Sequence, residues 1–481
     1  MARSLTRRGF LKLACGALGA STLAACAPAP TPTPTPRPTE AKAPTTVPAA
    51  ATTAPTKAAA TAAPTAVPLT AAPQVAGEVV VWHIWSGGRL PLMDDIIKRF
   101  NEQHPKIKAK HEFVSGGSAQ LLQKLQTSIA AGKSCDVAMT MHYWVPAFAI
   151  RKSLLALDDL IAAHGVRTDV FFPYALAPGR WDGKLYVLPA DGSPTPLLLY
   201  NTDHYAEAKV SAPPKTWDDA IASAKALTRV KGKDIERLGF GFGSFNIQLL
   251  AYLTHSNNGK LISDDGRKYL FNSPEAVEAM EFVVRLVKEA CGSSKAYQDF
   301  MAMQKELKID SPFMAGTCSQ SLEGPWQVGL IETGSFKDLH YDTAVPPHSS
   351  KGQTHAVYMG SWSYGIPAVA ANKEASWELL EWLTVEPTAA GWFMREQLRV
   401  PALKATMSDP KYTQYKQWKG IVAQTETAVG VPATPVMQET VNKVATAMEA
   451  ALMGDQTPKA ALDKVQAETQ KLLDDFYAKP S

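Results

Sequence analysis

Between Gly183 and Asn201 the chain reads GKLYVLPADGSPTPLLLYN. Lys184 to Leu188 is rich in β-formers. Pro189, Gly192, Pro194 and Pro196 then break the pattern, and Leu197 to Tyr200 resumes as a short apolar run. Each proline fixes φ and deletes an N–H donor, so the gap cannot sit inside a regular ladder. A strand, a proline-punctuated gap and a second buried strand are what a chain needs to leave one core and enter another. The polar residues in the gap, Asp191, Ser193 and Thr195, would then lie between two lobes, where ligand sites concentrate. The plainer alternative is an irregular edge strand.

With 481 residues the chain exceeds one ordinary domain, which favours two lobes. Its formal charge of +4 comes wholly from Arg3, Arg7, Arg8 and Lys12 in an acid-free opening segment. The remainder is balanced, so a polyanion such as nucleic acid is not an expected partner. Thr6-Arg7-Arg8-Gly9-Phe10-Leu11-Lys12 precedes the apolar segment Leu13 to Leu23. A positive start and a short apolar core read as an export signal over residues 1–25. The paired arginines with Phe10, Leu11 and Lys12 favour the twin-arginine type over an ordinary secretion signal. Leu23-Ala24-Ala25-Cys26 looks like a bacterial lipobox, with Cys26 as the lipidated residue. Residues 26–77 are almost wholly Ala, Pro and Thr beyond that cysteine. Such a tract cannot build a core, favours polyproline II, and at about 3.1 Å per residue reaches on the order of 150 Å. It reads as a spacer between a membrane and a folded body. Cys135, Cys291 and Cys318 show no metal spacing. One disulfide with a free thiol and three buried thiols both fit.

Val79 to Trp85 reads as a buried strand ending in Ser86-Gly87-Gly88. A helix from Pro91 to Gln103, a strand from Ile107 to Phe113, a helix capped by Ser118 and a strand from Asp136 to Met141 follow. This β-α-β-α-β order predicts a parallel α/β sheet. Ligands sit beyond the carboxyl ends of such strands, which singles out Trp85-Ser86-Gly87 and Met141-His142-Tyr143-Trp144. His111, on the inward face of its strand, reads as a satisfied core histidine. Further on, Thr216 and Ser273-Pro274 open helices, and Gly239 to Gly243 is strand-like without nucleotide-loop spacing. Met359 to Pro367 and Arg399-Val400-Pro401-Ala402 are further crossing candidates.

Six landmarks occur in order: WHIWSG at Trp82 to Gly87, AAGKSCDVAM at Ala130 to Met139, GKLYVLP…LLLYN, APPKTWDDA at Ala212 to Ala220, FMAG…EGPW at Phe313 to Trp326, and ANKEASWELLEWL at Ala371 to Leu383. Together, from about Glu78 to Tyr477, they resemble the extracellular solute-binding proteins of family 1, the sugar receptors of ABC importers. The resemblance implies a periplasmic-binding-protein-like (type II) clamshell, with an α/β sheet in each lobe and hinge crossings between them. It assigns residues 78–192 and 361–398 to the first lobe, and 193–360 and 399–481 to the second. Matching landmarks place Trp85 and Ser86 in the first cleft loop and His142, Tyr143 and Trp144 in the second. Asp191 and Ser193 fall at the crossing, Phe245 and Asn246 on the second lobe, Glu323 and Trp326 on its face, and Trp362 and Arg399 at the later crossings. Trp326, in EGPW, matches the family's stacking tryptophan. Trp217, Trp377, Trp382 and Trp392, all in helical patterns, are expected in the core. The proline-rich GSPTP segment and the uncharged, bulky His142-Tyr143-Trp144 loop depart from the family pattern.

The implied function is capture of a sugar or oligosaccharide by a monomeric, lipid-anchored receptor at the extracytoplasmic face of the bacterial cell membrane, which delivers it to ABC permease subunits. No cofactor or metal is expected. One alternative keeps the receptor role with a polyamine, glycerol phosphate or metal chelate as solute. Another is a polysaccharide hydrolase using Asp191 and Glu323 as its carboxylate pair. Against an enzyme, the chain has no H-E-x-x-H, G-x-S-x-G or P-loop.

Overall fold

The computed structural model describes residues 75–478, apart from 244, 308, 310, 335, 337, 354–356 and 360. The leader, Cys26 and the spacer up to residue 74 lie outside the described residues.

Eight strands carry the two main sheets: β1 (Gly77–His83), β2 (Ile107–Phe113), β3 (Val137–Met141), β4 (Val187–Pro189), β5 (Leu197–Asn201), β6 (Gln320–Glu323), β7 (Tyr341–Ala344) and β8 (Trp362–Gly365). The first sheet has the order β2-β1-β3-β8-β4, and the second β6-β5-β7. β1 runs parallel to β2 and β3, as the βαβ pattern predicts. β8 departs from that pattern and lies antiparallel to both β3 and β4. No crossover helix leads into it after the strand Val357–Tyr358, so nothing forces it parallel. The second sheet is antiparallel throughout.

The helices follow from local chemistry. α1 (Leu90–Gln103) has a proline in its first turn and buries Met93, Ile96, Ile97 and Phe100 on one face. α2 (Gly117–Ala130) begins before the expected Ser118 cap, because Gly116 and Gly117 take φ of 88° and 79° and turn the chain in earlier. α3 (Trp217–Leu227) carries a full capping box between Thr216 and Asp219. Ser273 caps α4 (Pro274–Cys291), and Asn372 caps α5 (Lys373–Thr384). α6 (Met437–Met453) and α7 (Pro458–Ala478) end the described chain.

Two hydrophobic clusters form around these sheets. One gathers Val79, Val81, Ile96, Phe100, Trp377 and Trp382. The other gathers Leu197 to Leu199, Trp217, Tyr252, Phe282, Val444 and Leu462. Trp392 is only half-buried, with the Arg99 guanidinium 4.5 Å from its ring centre. Among the described residues, Cys135, Cys291 and Cys318 are buried and unpaired, in line with the three-thiol alternative.

A polar chain crosses the first sheet. The Trp85 backbone N–H donates to His83 Nδ1 at 3.1 Å. The neutral ring therefore carries its proton on Nε2, which donates to His111 Nδ1 at 2.9 Å. His111 Nε2–H in turn donates to Asp94 at 2.9 Å, so His111 is partnered as expected, although half-buried. Burial, and secondarily the charge of His111, push His83 from 6.5 down to about 3, against the pull of Asp94. A base with a depressed folded pKa stabilises the fold above its unfolded pKa, and loses that contribution as pH falls through its folded value. The unfolding midpoint should therefore drop as pH falls from 6.5 to about 3. His83→Gln should make that part of the profile shallower, leaving the share due to the buried His142, as read by denaturant titration at successive pH values.

Candidate functional site

The segment from Ala190 to Pro196 is buried throughout, so every backbone group in it needs a partner. Neighbouring passages supply them. The N–H groups of Ala190 and Asp191 both donate to the Trp362 carbonyl at 3.1 Å, and Gly192 N–H donates to Val400 O at 2.9 Å. Thr195 and Val357 exchange two backbone bonds, at 2.8 and 2.9 Å. Tyr174 and Tyr358 hydroxyls donate to the carbonyls of Gly192 (2.8 Å) and Asp191 (2.6 Å). Residue 192 must be glycine, since a Cβ there would lie 2.4 Å from the Pro401 carbonyl oxygen. Three passages of chain are thus fastened side by side.

One ion pair ties these passages together. Arg399 Nε donates to Asp191 Oδ2 at 3.0 Å, and a second guanidinium nitrogen joins the same oxygen. Asp191 Oδ1 accepts from Ser193 N–H at 2.8 Å and from the Ser193 hydroxyl. Asp191 is 1% exposed and Arg399 6%. The Arg399 guanidinium also lies 5.2 Å from the ring centre of Trp85 and 5.5 Å from that of Trp326. It is therefore held between two indoles, where a cation is favoured.

Trp85 offers no open face. It is 1% exposed, its indole N–H donates to the Tyr364 hydroxyl at 2.9 Å, and Trp362 and Phe393 meet it edge-on. Ser86 is exposed, and its carbonyl accepts from Arg89 N–H. In the second loop, His142 is buried and stacked on Tyr358 with ring centres 4.9 Å apart. Burial pushes its imidazole down to about 3, so the ring is neutral. Tyr143 is half-buried, and desolvation pushes its phenol up to about 12. Trp144 is buried and donates its indole N–H to Gln438 at 3.1 Å, joining the second loop to α6.

A cavity of about 670 Å³ opens beside Trp326, Glu323, Asn246, Gln327 and Thr195. This is within the roughly 300–1,000 Å³ range of small-molecule sites. Trp326 is half-buried on its wall. Glu323 accepts from Ser321 Oγ at 2.9 Å and from Gln327 Nε2 at 3.3 Å, and burial raises its pKa above the usual carboxylate range. Asn246 caps the helix Ile247–His255 by accepting from Leu249 N–H. Phe245 lines no part of this cavity; it packs on Phe242 and Tyr297 at the edge of the second core. A larger hollow of about 1060 Å³, between Trp181 and Tyr477, contains none of the expected site residues.

The structure thus joins Trp85, Asp191, Ser193, Trp326, Trp362 and Arg399 in one network, and puts Asn246, Glu323 and Trp326 on one cavity wall. Sequence reasoning missed Arg89, whose guanidinium lies 5.6 Å from the Trp85 ring centre. The signal was present: a charged residue directly follows Ser86-Gly87-Gly88, at the carboxyl end of β1. It also missed Tyr358, for which no local signal exists.

Two α/β lobes, a buried crossing and a cavity beside it define a two-lobed binding protein. Residues 88–390 match the family described as bacterial extracellular solute-binding protein, and the chain belongs to that family. Membership makes it an extracytoplasmic solute-binding component of an ABC importer. It is 23% identical over 367 residues to a maltotriose-binding protein of Pyrococcus abyssi, covering 75% of this chain and 74% of that one. The sugar-binding protein MalE of Xanthomonas citri superposes with a TM-score of 0.71 at 21% identity, covering 84% of this chain and all of that one. A Thermotoga lettingae ABC-transporter solute-binding protein bound with α-D-tagatose gives 0.68 at 25% identity, over 82% and 99%.

Asp191→Ala should lower stability by about 3–5 kcal/mol, since it strands the Arg399 charge in the interior. The double variant Asp191→Ala/Arg399→Met should recover much of that loss in equilibrium urea unfolding. Arg399→Met alone completes the cycle: if it changes stability equally with and without Asp191→Ala, the pair is not coupled.

Proposed function

We propose that the solute is a sugar or short oligosaccharide held at the crossing, with the Trp326 wall as its platform. The supporting observation is the 670 Å³ cavity, where one half-buried indole adjoins Glu323, Asn246 and Gln327. A sugar presents C–H faces to an aromatic ring and hydroxyls to carboxylates and amides. Relatives that bind maltotriose and tagatose support the same chemistry. Ser86, Tyr143 and Trp144 would meet the solute from the opposite loops as the lobes close, because contacts to both lobes favour the closed state. Segments 78–192 with 361–398, and 193–360 with 399–481, are the two moving bodies in this reading. Trp85, His142, Asp191, Ser193, Trp362 and Arg399 would act by shaping and bracing the cleft, and Phe245 by supporting its wall.

The receptor reading is preferred over hydrolysis. Asp191, one of the two carboxylates a hydrolase would need, is committed to Arg399 and Ser193. The chain would work as a monomer, tethered through a lipid on Cys26 and exported by the twin-arginine route, with residues 27–77 spacing it from the membrane.

Thermal unfolding of the full chain against mono- and oligosaccharides tests the proposal. A bound sugar at a hundred times its Kd should add about 2.7 kcal/mol and raise the midpoint. Trp326→Ala should weaken that sugar by roughly 2 kcal/mol or more, as a central aromatic anchor does. If polyamines, phosphates or metal chelates shift the midpoint and no sugar does, the carbohydrate reading is wrong.

A further inference from the structure

Two arginines stand beside the buried Asp191 carboxylate, and only one of them is paired with it. Arg399 is neutralised by Asp191. Arg89 stands beside the same pair with its guanidinium over the Trp85 ring, and the two arginines repel each other. Among the described residues, the Arg89 guanidinium makes no ion pair and no hydrogen bond. It is nevertheless half-buried, and burial and Arg399 together push it down to about 10, against the pull of Asp191. Glu323 does not compensate it, since that carboxyl is held by Ser321 and Gln327. A half-buried guanidinium with unused donors is costly unless an anion completes it. Its planar fork suits a carboxylate or phosphate, taken through two parallel N–H···O bonds.

We propose that the solute is an acidic sugar, and that Arg89 receives its anionic group while Trp326, Glu323 and Asn246 take the neutral part. This rests on the sugar reading above and specifies it. Arg399, committed to Asp191, contributes no direct bond. Discrimination follows from the same physics: a neutral sugar leaves the guanidinium desolvated and unpaired, so it gains less from the cleft than an acidic one.

Titration calorimetry on the full chain would compare three probes of equal length: a neutral disaccharide, a disaccharide containing one hexuronate, and a sugar phosphate. The two anionic probes distinguish carboxylate from phosphate. At least one should bind ten-fold or more tighter than the neutral probe, with an advantage that shrinks at high salt. Arg89→Gln should erase that preference, by weakening the anionic probe and relieving the penalty on the neutral one, and Arg89→Lys should restore part of it. The wild-type comparison needs no variant, so it stands even if Arg89→Gln folds poorly. If the neutral sugar binds as tightly as both anionic ones, the acidic-group inference is overturned and the sugar reading survives. If no probe of any kind binds, both are overturned.

Discussion

The Asp191–Arg399 pair is the contact on which the rest of the architecture depends. It joins the first passage between the sheets to the third, at a place where water is excluded from both side chains. A buried ion pair rarely adds net stability over a well-packed apolar pair. Its value here is geometric. The pair sets the register between Asp191 and Pro401, which also meet as a backbone bridge. It also holds a guanidinium at a fixed point between Trp85 and Trp326. Two indoles, one just past β1 of the first sheet and one just past β6 of the second, are thereby referred to a single charge.

Around that charge the cleft is layered by chemistry. Behind it lie rings that are spent on packing: Trp85 against Phe393 and Tyr364, and His142 against Tyr358. Before it lies the wall of Trp326, Glu323 and Asn246, where rings and polar atoms remain half-accessible. The departure of His142-Tyr143-Trp144 from the usual charged loop finds its explanation in this arrangement. His142 goes inward as a neutral stacking partner, and Trp144 reaches α6 through Gln438. The loop therefore contributes bulk and lobe-to-lobe contact, and any charge offered to a solute comes from elsewhere in the cleft.

Much of the fold was legible because its signals are local. The capping box at Thr216 needs four residues to be recognised. The inward stripe of α1 and the alternation in β2 are periodicities. Failures arose where a distant partner intervened. β8 lies in the Met359 to Pro367 crossing candidate, and its antiparallel direction was set by how the chain re-enters the first sheet. Trp85 sits in the expected loop, but Tyr364, 279 residues away in sequence, claims its indole N–H. Phe245 was placed with Asn246 on the second lobe by matching landmarks. One step of backbone was enough to send the phenylalanine ring to the core and the asparagine to the cavity.

By itself, the sequence determined the family, the two-lobed α/β plan, the crossing at Asp191 and the residue types that a solute could meet there. Those are properties of spacing, punctuation and periodicity, which are written along the chain. Only the tertiary structure decided which carboxylate is consumed by which arginine, which tryptophan is buried and which is half-open, and that Arg89 is left over. Such outcomes depend on pairings between residues hundreds of positions apart. No window of sequence contains both members, and burial alone sets the cost of leaving one without the other.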